Sequence, residues 1–163
     1  MINIEEIKEK NWPLISKIYQ AGIETNIATF QTACPTYPEW DSSHMKVCRI
    51  MLINDESIVG WAALSPVSCR YAYSGVAEVS IYVDMEFKRK GFGERLLSDL
   101  TRRSAENNIW MLQANIIKDN IASIQLHSKC GFRLVGYRSK IARDRFGKWH
   151  DVVLMEKRDN NIY

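Results

Sequence analysis

The feature that most constrains the fold is a strongly β-forming run, Val76 to Val83, that leads through two glycines into an amphipathic helix. The run V-A-E-V-S-I-Y-V is mostly apolar, which predicts a central strand buried on both faces. After Gly91 and Gly93, apolar residues return at helical spacing with charged residues between them. The sequence therefore predicts a strand, a glycine turn and a helix, with Glu78 as the only charge in the strand.

The other segments predict a mixed sheet with helices on both faces, an α/β fold of the α+β mixed-sheet kind in one domain over residues 1–163. Before the central strand we expect a helix, a loop-rich segment and a hairpin, at Trp12 to Gly22, Thr25 to Trp40, and Val47 to Ile53 with Ser57 to Leu64. After the glycine helix we expect a strand, a helix and two strands, at Ile109 to Ile117, from Asp119 or Asn120 to Gly131, and at Phe132 to Lys140 and Trp149 to Glu156.

Charge and cysteine content exclude several classes of protein. A formal net charge of +3, from 22 basic and 19 acidic residues, is far from the dense basic stripe of a nucleic-acid binder. The cysteines lie far apart without a C-x-x-C pair, which argues against zinc and against a disulfide framework. Neither an export signal nor a membrane-spanning run is visible. We therefore expect a cytoplasmic protein with no metal, nucleic acid or membrane partner.

The loop between the central strand and the following helix suits a pyrophosphate. Glycines leave backbone N–H groups bare, the helix N-terminus is partly positive, and the flanking cations add whole charges. A dinucleotide fingerprint would need a third glycine at Leu96, and a P-loop would need Gly-Lys-Ser/Thr, so neither motif is present. Taken alone, the glycine pair is more typical of a solvated helix entry.

Three further segments make the pattern specific. The loop is similar to the acyl-CoA-binding motif of the GNAT superfamily, Q/R-x-x-G-x-G/A, with Lys88 at the Q/R position as a mild departure. The segments A-T-F-Q-T (28–32), N-I-A-S-I-Q-L-H-S-K-C-G-F (120–132) and G-K-W-H-D-V (147–152) resemble the phosphinothricin and methionine sulfoximine acetyltransferases. The matches extend from about Ile18 to Glu156. The chain is thus identified as a member of the GNAT superfamily, with that subgroup as the nearer resemblance.

The resemblance implies a GNAT-like acyl-CoA N-acyltransferase fold, acetyl-CoA as co-substrate and no metal. In this family the acyl carbonyl is held by the splayed central strand, and the pyrophosphate lies over the glycine loop. A helix-capping asparagine contacts the cofactor farther along. The implied cofactor-binding residues are Ile81, Tyr82, Val83, Lys88, Arg89, Lys90, Gly91, Phe92, Gly93, Glu94 and Asn120.

Acetyl transfer to an amine needs a base and a source of a proton for the departing thiolate. Glu78 is the candidate base, because desolvation in an apolar strand would raise its pKa. The alternative is a structural ion pair, and the resemblance favours catalysis. His127 stands where many superfamily members have a proton-donating tyrosine, and it either supplies that proton or has no chemical role. Tyr82 is an alternative donor whose position fits packing equally well.

The acceptor side is assigned mainly from resemblance and charge. We expect Thr29, Phe30, Ser80 and Glu78 to bind the amine substrate, and Arg70 to bind a carboxylate, although an exposed loop arginine is the commoner outcome. Two aromatic side chains, Trp40 and Trp149, are expected in a core or an interface. His150 and Asp151 are adjacent in a strand and point to opposite faces, which argues against a local dyad.

Three functions remain open on the sequence. The first is acetylation of the α-amino group of a small amino-acid analogue such as phosphinothricin, methionine sulfoximine or methionine sulfone, with detoxification as the role. The second is acetylation of a protein N-terminus, a lysine or a polyamine. The third is acyl-CoA sensing without catalysis. The resemblance also implies a homodimer.

Overall fold

The computed structural model describes residues 1–163 as a single mixed sheet with helices on both faces. The sheet has seven strands in the order β1-β2-β3-β4-β5-β7-β6. The strands are β1 (Ile2–Glu6), β2 (Ile50–Asn54), β3 (Ser57–Pro66), β4 (Val76–Val83), β5 (Met111–Ile117), β6 (Arg133–Arg143) and β7 (Trp149–Arg158). The helices are α1 (Trp12–Glu24), α2 (Tyr37–Ser43), α3 (Phe92–Glu106) and α4 (Ile121–Lys129), with 3₁₀ turns at Glu9–Asn11, Tyr71–Tyr73 and Met85–Phe87. The predicted α/β class is confirmed.

Pairing within the sheet is antiparallel except between β4 and β5. The predicted hairpin of β2 and β3 is confirmed, with its turn at Asp55 and Glu56, which both have positive φ. The parallel pair is joined by α3, as expected for two parallel strands that need a crossover.

Two elements were absent from the sequence prediction. The short strand β1 pairs with β2 at the edge of the sheet, and its isoleucines alternate with polar residues. The helix α2 lies in the segment predicted to be loop-rich. Thr36 caps it, because the Thr36 hydroxyl accepts from the backbone N–H of Glu39 while the Glu39 carboxylate accepts from the backbone N–H of Thr36. The capping box is visible in the sequence as T-Y-P-E at residues 36–39 and could have predicted the start of this helix.

A separate core lies on each face of the sheet. One core packs α3 against the sheet and includes Leu96, Leu97 and Leu100. The other packs α1 and α2 against the opposite face, with Trp40 and Trp61 fully enclosed. Trp40 is thus a core aromatic, as expected, whereas Trp149 is mostly exposed.

The central strand β4 is not buried on both faces, and that prediction was wrong. Only Ala77 of its eight residues is buried, and the others are half-buried. The side chains of Ala77, Val79, Ile81 and Val83 face the core under α3. Alternation along the strand places Glu78, Ser80 and Tyr82 on the face of α1 and α2. An apolar run can thus belong to a strand that borders a cavity.

The edge of the sheet beyond β7 is formed by β6, whose residues are almost all exposed. None of the helices combines the length and apolar character needed to cross a membrane.

Candidate active site

A cavity of about 530 Å³ opens where β4 and β5 separate. These strands pair only from Val76 with Met111 to Glu78 with Gln113, and their pairing ends there. Beyond that point, β4 stays paired with β3 as far as Val83 but has no partner on its other edge. The gap between the strands is therefore lined on one side by Val79 to Tyr82 and on the other by Ala114 to Ile117.

Glu78 lies at the point where the two strands part, in the wall of this cavity. Its carboxylate accepts a hydrogen bond from the amide of Asn115, which lies on the facing strand β5. Neither arginine nor lysine pairs with it, so the structural ion pair that the sequence left open is absent. Ser65, opposite Glu78 on β3, and Ser80 also line the cavity. The site thus offers a half-buried carboxylate among neutral polar groups.

The loop after α1 forms the wall that faces this carboxylate. Thr29 and Phe30, which the sequence analysis assigned to the acceptor, both line the cavity. A hydrogen bond anchors the start of this loop, because the Asn26 side-chain amide donates to the Asp144 carboxylate at 2.7 Å. The rings of Phe30 and His150 pack in a T-shaped arrangement, with 5.9 Å between ring centroids. The loop after α1 is therefore fixed to the hairpin of β6 and β7.

His127 lines the same cavity from α4 and is only 2% exposed. Its Nδ1 lies 2.7 Å from the backbone carbonyl of Ser123. A carbonyl oxygen can only accept, so Nδ1 carries the proton and Nε2 of the neutral ring has a free lone pair. Burial lowers the pKa of His127, which favours that neutral ring. Nε2 is enclosed and has no hydrogen-bond partner in the protein, like the indole nitrogens of Trp40 and Trp61 in the core.

Tyr82 is mainly a core residue that reaches the cavity with one end. Its ring stacks on Tyr19 and on Trp61, with 4.9 Å between centroids in both pairs. Gly22 packs against it so closely that an added Cβ would lie 2.6 Å from the Tyr82 ring. Burial raises the pKa of the Tyr82 hydroxyl far above its usual range. The geometry therefore supports packing as its main role.

The loop from Lys88 to Gly93 leads from β4 into α3 and has two left-handed residues, Arg89 at φ 62° and Gly91 at φ 81°. Gly91 is the N-cap of α3, and no side chain caps the helix. The first N–H groups of the helix are thus left without a side-chain partner. Glu94 is turned away to an ion pair with Lys129 at 2.6 Å. The loop keeps the bare N–H groups and exposed cations that suit a pyrophosphate.

The other two residues of this motif serve packing. The Phe92 side chain enters the core beneath α3. Gly93 lies against α4, since an added Cβ would approach Leu126 to 3.2 Å and Val83 to 3.6 Å. Asn120 caps α4 by accepting from the backbone N–H of Ser123, and it also lines the cavity, so one side chain combines both expected positions.

Arg70 is exposed and does not line the cavity. It caps the 3₁₀ turn Tyr71–Tyr73 in the connection between β3 and β4. The substrate-carboxylate role expected for it has no support in this geometry, and the commoner outcome, an exposed loop arginine, is what the structure has.

Sequence reasoning missed three parts of the site. Asn115 and His44 both line the cavity, and their positions depend on strand pairing and on a helix that was not predicted. The third is a pair formed by His150 and Asp144, whose Nε2 and Oδ2 atoms are 2.7 Å apart across the hairpin of β6 and β7. The alternation argument correctly excluded Asp151 as the partner of His150. The hairpin register, which supplies Asp144 instead, was not readable from the sequence.

Comparison with known proteins finds a family whose members resemble this chain in sequence and in fold. A model of the acetyltransferase (GNAT) family matches residues 12–132. The phosphinothricin N-acetyltransferase of Alcaligenes faecalis is 29% identical over 161 residues, which cover 94% of this chain and 81% of the relative. The crystal structure of a ribosomal-protein-alanine N-acetyltransferase from Brucella melitensis superposes with a TM-score of 0.87 at 25% identity, over 96% of this chain and 99% of that one.

A third similarity concerns the fold. The structure of a GNAT superfamily phosphinothricin acetyltransferase from Sinorhizobium meliloti, in complex with AcCoA, superposes with a TM-score of 0.86 at 24% identity. It covers 99% of this chain and 95% of that chain.

Proposed function

The chain belongs to the acetyltransferase (GNAT) family, and from that premise we propose that it transfers the acetyl group of acetyl-CoA to the α-amino group of a small amino-acid analogue. The observation that carries the proposal is the cavity of about 530 Å³ with the Glu78 carboxylate in its wall. That volume lies within the range of small-molecule sites. The similarity to the phosphinothricin N-acetyltransferase of Alcaligenes faecalis supports phosphinothricin as the type of acceptor.

In this proposal Glu78 takes a proton from the ammonium group of the acceptor, directly or through water. The amine must be neutral before it can attack a thioester, and a carboxylate within hydrogen-bond reach is a suitable base. Asn115 holds one carboxylate oxygen, which leaves the other oxygen free to receive the proton. Thr29, Phe30 and Ser80 surround the acceptor on the remaining sides.

The residues of this chain also fit acetyl-CoA. When bound, acetyl-CoA supplies the thioester carbon that the amine attacks and the thiol that leaves. The unpaired edge of β4 beyond Glu78 offers the backbone groups of Ile81, Tyr82 and Val83 to a polar carbonyl. The loop from Lys88 to Glu94 offers cations and helix N–H groups to a pyrophosphate. Asn120 lies where the cavity continues along α4.

His127 remains a candidate catalytic residue, because it lines the cavity and its Nε2 has no partner in the protein. Donation of a proton to the thiolate would need a proton on Nε2, and burial disfavours the doubly protonated ring. Nε2 is thus an acceptor in the ring as the structure holds it, and because this atom is enclosed, a proton transfer from it would need both a second proton on the ring and an opening of the wall around it.

The physiological role we propose is detoxification in the cytoplasm. All four cysteines are free in the structure, which suits a reducing compartment. We further propose that the enzyme is a homodimer. The exposed edge strand β6 and its hairpin carry apolar side chains that a second copy could cover, namely Leu134, Val135, Tyr137, Ile141, Phe146 and Trp149. Sedimentation equilibrium would give twice the mass of one chain, whereas a monomer mass would contradict the dimer.

Release of thiol from acetyl-CoA by the purified protein tests the proposed activity. The acceptor panel contains phosphinothricin, methionine sulfoximine, methionine sulfone, polyamines, a lysine peptide and a peptide with N-terminal alanine. We expect turnover with the amino-acid analogues alone. Turnover only with the peptides would favour the alternative suggested by the Brucella melitensis structure. Silence across the panel, with acetyl-CoA still raising the melting temperature, would point to an acyl-CoA sensor.

A further inference from the structure

A second histidine lies on the Glu78 side of the cavity and has no part in the function proposed above. His44 follows directly after the end of α2 and lines the cavity. The next residue fixes its place, because the backbone N–H of Met45 donates to the carbonyl of Leu64 at 2.7 Å. Ser65, the neighbour of Leu64, is directly opposite Glu78 in the register of β3 and β4. His44 is therefore held beside the strand position that faces the candidate base.

The orientation of the His44 ring is fixed by the protein. Its Nδ1 lies 2.8 Å from the backbone carbonyl of Trp40 and 3.0 Å from the Ser43 hydroxyl. The carbonyl can only accept, so Nδ1 carries a proton. The imidazole also stacks on the Trp40 ring, with 4.8 Å between centroids and an interplanar angle of 26°. One nitrogen and one face of the ring are thus occupied by contacts within the protein.

The other nitrogen is free. Nε2 of His44 has no hydrogen-bond partner in the protein, and it is not among the polar atoms sealed inside the structure. In a neutral ring whose proton is on Nδ1, Nε2 is a hydrogen-bond acceptor. A structural role would be complete with Nδ1 and the stacked face, so the lone pair is available to a molecule in the cavity.

Burial, with a smaller contribution from Arg49, favours the neutral ring of His44. Burial lowers the pKa of His44, and the positive charge of Arg49 lowers it further, against the opposite effect of the Trp40 carbonyl. Arg49 donates to the backbone carbonyl of His44 at 3.3 Å and is paired with Asp41, which also binds Lys46. Glu78 is the acidic residue that lines the same cavity.

We propose that Nε2 of His44 accepts a hydrogen bond from the ammonium group of the amino-acid acceptor and so helps to select and orient it beside Glu78. This inference rests on the proposed function. An ammonium carries more N–H donors than one carboxylate oxygen can bind, and a second acceptor fixes the direction of the nitrogen. A neutral acceptor suits this position, since it orients the amine without competing strongly for its proton.

Two amide variants of different length separate a substrate-binding role of His44 from a structural one. In His44→Asn the side-chain amide reaches the position of Nδ1 but not that of Nε2, whereas in His44→Gln the amide reaches the position of Nε2 and keeps an acceptor there. Steady-state kinetics with phosphinothricin should show a KM for this acceptor raised about tenfold or more in His44→Asn. His44→Gln should lie closer to the wild type, and both variants should keep the wild-type KM for acetyl-CoA.

Equal acceptor KM values in His44→Asn and the wild type would overturn the proposal for His44 and leave the proposed function intact. A rise in both KM values together with a lower melting temperature would assign His44 a structural role and also overturn it. If the wild type acetylates none of the amino-acid analogues, the proposed function fails, and the His44 proposal fails with it. The ¹⁵N resonance of His44 Nε2 in the wild type needs no variant, and it should move when phosphinothricin is added; an unmoved resonance would overturn the proposal.

Discussion

The chemistry of the site comes down to a few polar atoms whose partners are known. Glu78 has one oxygen bound by Asn115, while His127 and His44 each use Nδ1 on a backbone carbonyl four residues earlier. Both histidines line the same cavity as the carboxylate, but Nε2 of His127 is enclosed, whereas Nε2 of His44 is not. A side chain that has satisfied one polar atom inside the protein holds the other in a fixed direction, which is what a binding site for a small polar molecule requires.

At this scale the clearest prediction concerns Glu78→Gln. Glutamine keeps the shape of the side chain and can still accept from Asn115, but it cannot take a proton from the amine. We expect turnover to fall by about two to four orders of magnitude, with little change in acetyl-CoA affinity. Single-turnover kinetics and acetyl-CoA titration measure the two effects. Glu86→Gln, which changes an exposed carboxylate in the turn after β4, is the control and should behave as the wild type. Undiminished turnover in Glu78→Gln would remove Glu78 from the role of base.

Among the elements, the entry of α3 decides where an anion can bind. The backbone turns through a left-handed glycine and directs the uncapped end of the helix toward the loop. Packing of α3 beneath the sheet and against α4 then holds that end in place. The helix terminus, rather than a particular side chain, is the feature that makes the loop suitable for phosphate.

Gly91→Ala tests this element against a matched control. Gly91 at φ 81° and Gly147 at φ 82° are both left-handed, and an added Cβ would meet nothing within 4 Å at either position. Alanine at each position should therefore cost about 1 kcal/mol of stability for the same reason. Only Gly91→Ala should also raise the KM for acetyl-CoA, on the order of tenfold, because its loop would shift away from the phosphates. Equal KM values in the two variants would show that the loop does not bind the cofactor.

At the scale of the whole molecule, one contact joins two distant parts of the chain, the loop after α1 and the turn after β6. Asp144 accepts from His150, from the Asn26 amide and from the backbone N–H groups of Phe146 and Lys148. The carboxylate thereby ties the loop after α1 to the hairpin of β6 and β7. None of these groups lines the cavity itself, but the loop that follows Asn26 does.

This contact predicts a pH-dependent stability. The hydrogen bond from His150, with those from the neighbouring donors, holds the pKa of Asp144 well below its usual range. The folded protein thus keeps Asp144 ionised where the unfolded chain protonates it, so its contribution is complete above about pH 4 and is lost as the pH falls below that value. Asp144→Asn should lower the melting temperature near neutral pH, and the difference from the wild type should narrow below about pH 4. A difference that stays constant from neutral pH into acid would contradict this assignment.

The sequence alone determined the main features of this protein. The helix α1, the order of the strands and helices from β2 onward, and the glycine entry of α3 all follow from local patterns of apolar, turn and capping residues. Such patterns depend on neighbours in the chain, so they can be read without the fold. The same patterns carried the resemblance to the family and identified Glu78 as the unusual charge in a central strand.

Only the tertiary structure decided how far the central strand is buried, which groups meet Glu78, and where Arg70 lies. The strands β4 and β5 separate after Glu78, and this opening, rather than composition, leaves β4 half-buried. Asn115 and His44 reach the cavity through strand register and through α2, while Asp144 meets Asn26 across 118 positions of sequence. Contacts between distant segments depend on register and on the packing of whole elements, and a local pattern carries no information about either.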